Sequence, residues 1–82
     1  MEERIMKATE ILGKRLVISN DYGCDTFQIV DFEIVKDFMR LYYDSHYNDE
    51  AHIYAVTFPI DDIERMLSGD EVRVVTATYR LI

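Results

Sequence analysis

Residues 32–45 constrain the fold of this chain more than any other segment. On a helical wheel advanced by about 100° per residue, Ile34, Leu41, Phe38, Tyr42, Val35, Met39 and Phe32 share one half of the circle. Lys36, Arg40, Glu33, Asp44 and Asp37 share the other. That separation predicts an amphipathic helix whose apolar side covers a core, with Asp31 as its N-cap.

The flanking segments fit around such a helix. Residues 2–12 place Ile5, Ala8 and Leu12 at helical spacing, with Glu2 and Glu3 in the first turn and Gly13 as a stop. Leu16-Val17-Ile18 and residues 26–30 predict two strands. The turn-forming residues 19–25 between them predict a hairpin with a loop longer than the tightest type. His52 to Phe58 predicts a third strand. Pro59-Ile60-Asp61-Asp62 opens a short helix, with Asp61 and Glu64 spaced as a capping box. Its inner face is Ile63, Met66 and Leu67, and Gly69 ends it. Val72 to Ile82 predicts one long closing strand. The expected fold class is α+β, a single small domain over residues 1–82. Its order is α-β-β-α-β-α-β, with helices packed on one face of a four-stranded, mainly antiparallel sheet.

Composition narrows the function classes. The chain has 82 residues, 49% of them hydrophobic and 30% charged, which excludes intrinsic disorder. No apolar run reaches membrane-spanning length, and residues 1–15 lack the apolar core of a signal peptide, so a cytoplasmic placement is expected. One cysteine, Cys24, rules out an internal disulfide framework and a cysteine-based zinc site. A net charge of −7 argues against direct binding to nucleic acid or to anionic membranes.

The chemistry-bearing residues do not assemble into a catalytic pattern. Cys24 lies between Asp21 and Asp25, and no Lys or Arg occurs between 16 and 35, so its local field disfavours a thiolate. His46 and His52, six residues apart across an acidic loop, match no zinc or facial-triad spacing. That loop also lacks the glycine and terminal glutamate of a calcium loop. The pairs Asp61-Asp62 and Asp49-Glu50 supply two carboxylates each, but nothing in the sequence desolvates one member to make it an acid. Neither catalysis, a cofactor nor a resident metal is expected.

Charge placement is the more informative signal. Residues 16–35 carry −4 and residues 41–64 carry −6, with no base in either block. A surface that only confers solubility intersperses both signs. Tyr43 and Tyr47 fall off the apolar arc of the predicted helix, beside Asp44, and tyrosine is enriched at protein interfaces; the alternative for Tyr43 is that it covers the margin of the core. The candidate partner-binding residues are therefore Asp44, Tyr47, Asp49, Glu50, Asp62, Glu64, Tyr43, Asp21 and Asp25.

In size, acidity and absence of a catalytic motif, the whole chain resembles small phage-encoded inhibitors of the anti-CRISPR and anti-restriction DNA-mimic type. At the same level it is similar to immunity proteins against nuclease toxins. The resemblance implies an inhibitor that binds a basic, nucleic-acid-handling protein or nuclease. It carries no individual residue role. The alternative is a structural or regulatory interaction module, homodimeric through an exposed edge of the strand at 72–82.

Overall fold

A computed structural model describes residues 10–45, 50 and 52–82. A short 3-10 turn, Glu10–Gly13, leads into β1 (Arg15–Asn20), β2 (Gly23–Val35), β3 (Phe38–Asp44) and β4 (Ile53–Pro59). One helix follows, α1 (Ile60–Leu67), and then β5 (Val72–Val74) and β6 (Ala77–Leu81). The six strands form one antiparallel sheet in the order β4-β3-β2-β1-β6-β5, curled as a half-barrel.

This architecture corrects the expected one. The sheet has six strands rather than four, and among the described residues α1 is the one α-helix, packed on its inner face. Residues 32–45 are not a helix. They are the end of β2, a two-residue turn at Lys36-Asp37, and β3. Phe32, Ile34, Met39 and Leu41 face inward, whereas Glu33, Val35, Phe38, Arg40 and Tyr42 face outward. The wheel had merged the apolar residues of both faces into one arc. Asp31 caps no helix; its carboxylate accepts the Phe32 N–H at 2.8 Å within β2.

Other elements match the sequence more closely. β1 and β4 lie where their apolar runs indicate. The β1–β2 loop is tighter than expected, because Asn20 pairs with Gly23 across only Asp21-Tyr22. Asn20 Oδ1 fixes the turn by accepting the N–H groups of Tyr22 at 2.8 Å and Gly23 at 3.1 Å. The closing strand is split into β5 and β6 by a turn at Val75-Thr76. Of the N-terminal helix expected at 2–12, residues 2–9 lie outside the described residues, and Glu10–Gly13 is a 3-10 turn.

Helix α1 begins after Pro59 as the sequence indicates, but no capping box forms. Pro59 holds the N-cap position without a side-chain bond, and Asp61 lies inside the first turn. The first N–H, from Ile60, donates instead to the Asp37 carbonyl of the β2–β3 turn at 2.8 Å. At the other end Gly69, with φ at 100°, closes a Schellman motif. Gly69 N–H donates to the Met66 carbonyl and Asp70 N–H to the Arg65 carbonyl.

The core fills the space between α1 and the sheet. Ile60, Ile63 and Met66 pack against Leu16, Ile29, Met39, Leu41, Phe58, Val72 and Leu81, with Ile11 closing the end near the 3-10 turn. No polar or charged residue is buried among the described residues. Every described carboxylate is therefore at the surface, and the question of function becomes one of surface arrangement.

Candidate binding surface

The β1–β2 hairpin projects past its neighbour. The β2–β3 ladder begins only at Gln28 opposite Asp44, so residues 23–27 of β2 extend beyond the pairing with β3. This arm carries Asp21 at its turn, Tyr22 beside it at 98% exposure, and Asp25 two residues along β2. No basic residue occurs from 16 to 35, so nothing on the arm itself offsets these carboxylates. A groove of about 240 Å³ on the arm is lined by Ile18, Asn20, Tyr22, Asp25 and Phe27.

A second groove, of about 440 Å³, opens where β3 stops. Asp25, Phe27, Gln28 and Asp44 line it, together with Arg15. The structure thus brings Asp25 and Asp44 from different acidic blocks to one groove. Asp62 and Glu64 do not join them. They lie on α1, where Asp62 pairs with Arg65 at 3.8 Å. Glu64 lines a separate groove of about 510 Å³ with Glu10, Asp61, Arg65 and Asp70. The α1 groove and the groove at the end of β3 share no residue. Glu50 is exposed and stands 3.7 Å from His52 Nε2. Tyr47, Asp49 and His46 lie outside the described residues.

Tyr43 takes the core-margin place, the second of the two expected for it. It is not an exposed neighbour of Asp44 but a half-buried residue of the inner face. Its ring packs 5.0 Å from Phe27 and 6.0 Å from Tyr54, centroid to centroid. Burial pushes its phenol above the ordinary value, and the nearby Tyr79 and Tyr54 add to the shift. Tyr43 therefore covers the margin of the core. Tyr54 is half exposed on the same face. Sequence reasoning passed over it because it sits in an apolar run.

The remaining chemical groups are dispersed. Cys24 is a free, exposed residue of β2, where the sequence placed it in the hairpin loop. Among the described residues no three His, Cys, Asp or Glu side chains converge as metal ligands. No helix among them is long and apolar enough to cross a membrane. Of the strand expected at 72–82, β6 lies inside the sheet between β1 and β5, and only the three-residue β5 reaches an edge. The sheet edges are β4 and the three-residue β5. No protein-family model, curated protein or solved structure matches the chain.

Proposed function

We propose that this chain is an acidic binding protein that docks on a basic, nucleic-acid-handling protein and blocks its nucleic-acid site. The observation that carries the reading is the projecting hairpin arm. Asp21, Tyr22 and Asp25 stand on it without a basic residue, and Asp25 shares a groove with Asp44. Carboxylates held on a paired strand lose little freedom on binding, and the exposed Tyr22 supplies a flat contact between them. The partner's Lys/Arg cleft, which normally holds phosphates, would accept these carboxylates instead. Such an encounter is fast at low ionic strength and slows as salt screens it.

The test starts with affinity capture from the source cells and identification of the retained proteins by mass spectrometry. Association of the purified partner is then followed across a salt series, with a nucleic-acid competitor. A basic partner that releases nucleic acid and associates more slowly at higher salt supports the reading. A partner that keeps its nucleic acid while bound, or whose association ignores salt, refutes it.

A further inference from the structure

Strand β4 is an open edge of an unusual kind. Its seven residues, Ile53–Pro59, include no charged side chain. Two backbone bonds at its ends fix which of its groups face β3. Ser45 N–H donates to the His52 carbonyl at 3.0 Å, and Ile60 N–H donates to the Asp37 carbonyl at 2.8 Å. Antiparallel ladders alternate, so Tyr54, Val56 and Phe58 also turn their backbone groups to β3. Ile53, Ala55 and Thr57 therefore present their N–H and C=O groups to the open side. All three residues are exposed, and no strand among the described residues pairs with them.

Natural sheets usually blunt such edges with charge or brevity. The opposite edge here does both, since β5 has three residues and Arg73 at its centre. The β4 edge does neither. Acids stand instead at its two ends: Glu50 before it, and Asp61 and Asp62 after it. His52 stands beside Glu50 and Arg65 beside Asp62, while Arg40, opposite Thr57 on β3, is paired with Glu33. No Lys or Arg occurs from 41 to 64, so the strand and its approaches carry a negative surplus.

We infer that the β4 edge takes up an extended segment of the basic partner as a seventh strand, with an uncharged centre and Lys or Arg at its ends. This rests on the proposed function and gives it a second site and a form of partner. The backbone of the incoming segment bonds to Ile53, Ala55 and Thr57, and its terminal cations meet Glu50 and the Asp61–Asp62 turn. A second copy of the chain fits less well. A two-fold antiparallel pairing sets the Glu50 end of one strand against the Asp61–Asp62 end of the other, acid against acid.

The probe is a labelled peptide, Lys-Lys-Val-Thr-Val-Lys-Lys, with a twin in which every Lys is Glu. Fluorescence anisotropy should show the basic peptide binding and the acidic twin weaker by at least about tenfold. Ala55→Pro should weaken the basic peptide by about tenfold or more, because proline removes an outward N–H yet spares the bonds to β3. Thr57→Pro serves as the second variant, and circular dichroism confirms the fold of each. The unaltered chain provides an independent readout by NMR hydrogen exchange. The amides of Ile53, Ala55 and Thr57 should exchange faster than those of Tyr54, Val56 and Phe58, and the basic peptide should slow only the first set. Equal binding of the two peptides, undiminished binding in folded proline variants, or no change in exchange would overturn the inference. So would a dimer of the chain that Ala55→Pro dissolves. If edge variants keep a captured basic partner while arm variants lose it, the edge inference fails and the proposed function stands. If no salt-sensitive basic partner binds, the proposed function fails as well.

Discussion

Ile29 and Phe32 point to the same inner face of β2, although they are three positions apart in the chain. Ile29 pairs with Tyr43 and Phe32 with Leu41, and those partners lie two apart on β3. The register shift between Ile29 and Asp31 absorbs Val30 as the extra residue of a β-bulge. Without the bulge, Phe32 and Ile34 would turn to solvent and Glu33 would enter the core.

Deletion variants follow from this geometry. Deleting Val30 restores strict alternation and keeps Ile29 and Phe32 on one face. It should cost no more than about 1.5 kcal/mol. Deleting Glu33 makes Phe32 and Ile34 neighbours on opposite faces, and should cost more than about 3 kcal/mol or prevent folding. Urea melts of the two deletions check the difference; equal losses would contradict the bulge.

The segment at 32–45 resembled a helix because apolar residues of two strands and of both sheet faces fall on one side of a wheel. The turn at Lys36-Asp37 lacks the glycine or asparagine that usually marks a two-residue hairpin, and Lys36 takes the left-handed conformation itself, with φ at 57°. Outward Val35 and Phe38, both about half exposed, and outward Tyr42 then completed the apolar arc. By contrast, β4 and α1 were legible, because Pro59 and Gly69 mark physical constraints at the ends of the helix. The acidic blocks were legible as charge but not as a site. Only the fold shows that Asp25 and Asp44 line one groove while Glu64 lines another on α1.

Two phenylalanines separate the hairpin from the helix it resembled. Phe58 is 1% exposed and stacks edge-on against Tyr79 at 5.0 Å, whereas Phe38 is 48% exposed on the outer face. Phe58→Ala should cost about 3–5 kcal/mol. Phe38→Ala should cost under about 1.5 kcal/mol, since half of its surface is already in water. Thermal or denaturant melts decide it, and a larger loss at Phe38 would favour a buried helical face.

Backbone strain sits in the β5–β6 turn. Val75 has φ at 57°, a left-handed conformation that crowds a β-branched side chain, and it is 86% exposed. Little packing is lost with its side chain. Val75→Gly should stabilise the fold by about 0.5–1 kcal/mol, after the entropy that glycine adds to the unfolded chain. A lower melting temperature in this variant would show that the side chain contributes contacts which outweigh the strain.

Tyr43 sets an alkaline limit. Its phenol is held above the ordinary value of 10.0, chiefly by burial. The folded state therefore keeps the proton longer than the unfolded chain does. The resulting stability is complete below the unfolded value and is lost as pH rises above it. An ultraviolet absorbance titration should show a tyrosine that ionises late, and Tyr43→Phe should remove it. Stability of the parent should fall across that alkaline range more steeply than stability of the variant. Identical profiles would mean that Tyr43 is as well solvated as a free tyrosine.

The hairpin arm gives the most exposed functional prediction. Asp21→Lys with Asp25→Lys reverses both charges on the arm and leaves the core untouched, since both residues are exposed. Glu10→Lys with Glu71→Lys makes an equal charge change at exposed positions outside the arm. If the arm meets the basic partner first, its reversal should slow association by about tenfold at low salt and alter dissociation less. The control pair should have a smaller effect, because it lies outside the arm and charges farther from a contact are more strongly screened. The two curves should converge as salt rises. Equal slowing by both pairs at every salt concentration would mean that net charge alone steers the encounter. Tyr22→Ala then separates steering from docking: with Tyr22 98% exposed in the free chain, its removal should leave association nearly unchanged and speed dissociation. A Tyr22→Ala variant that dissociates at the parent rate would remove the arm from the contact, whatever the charge variants show.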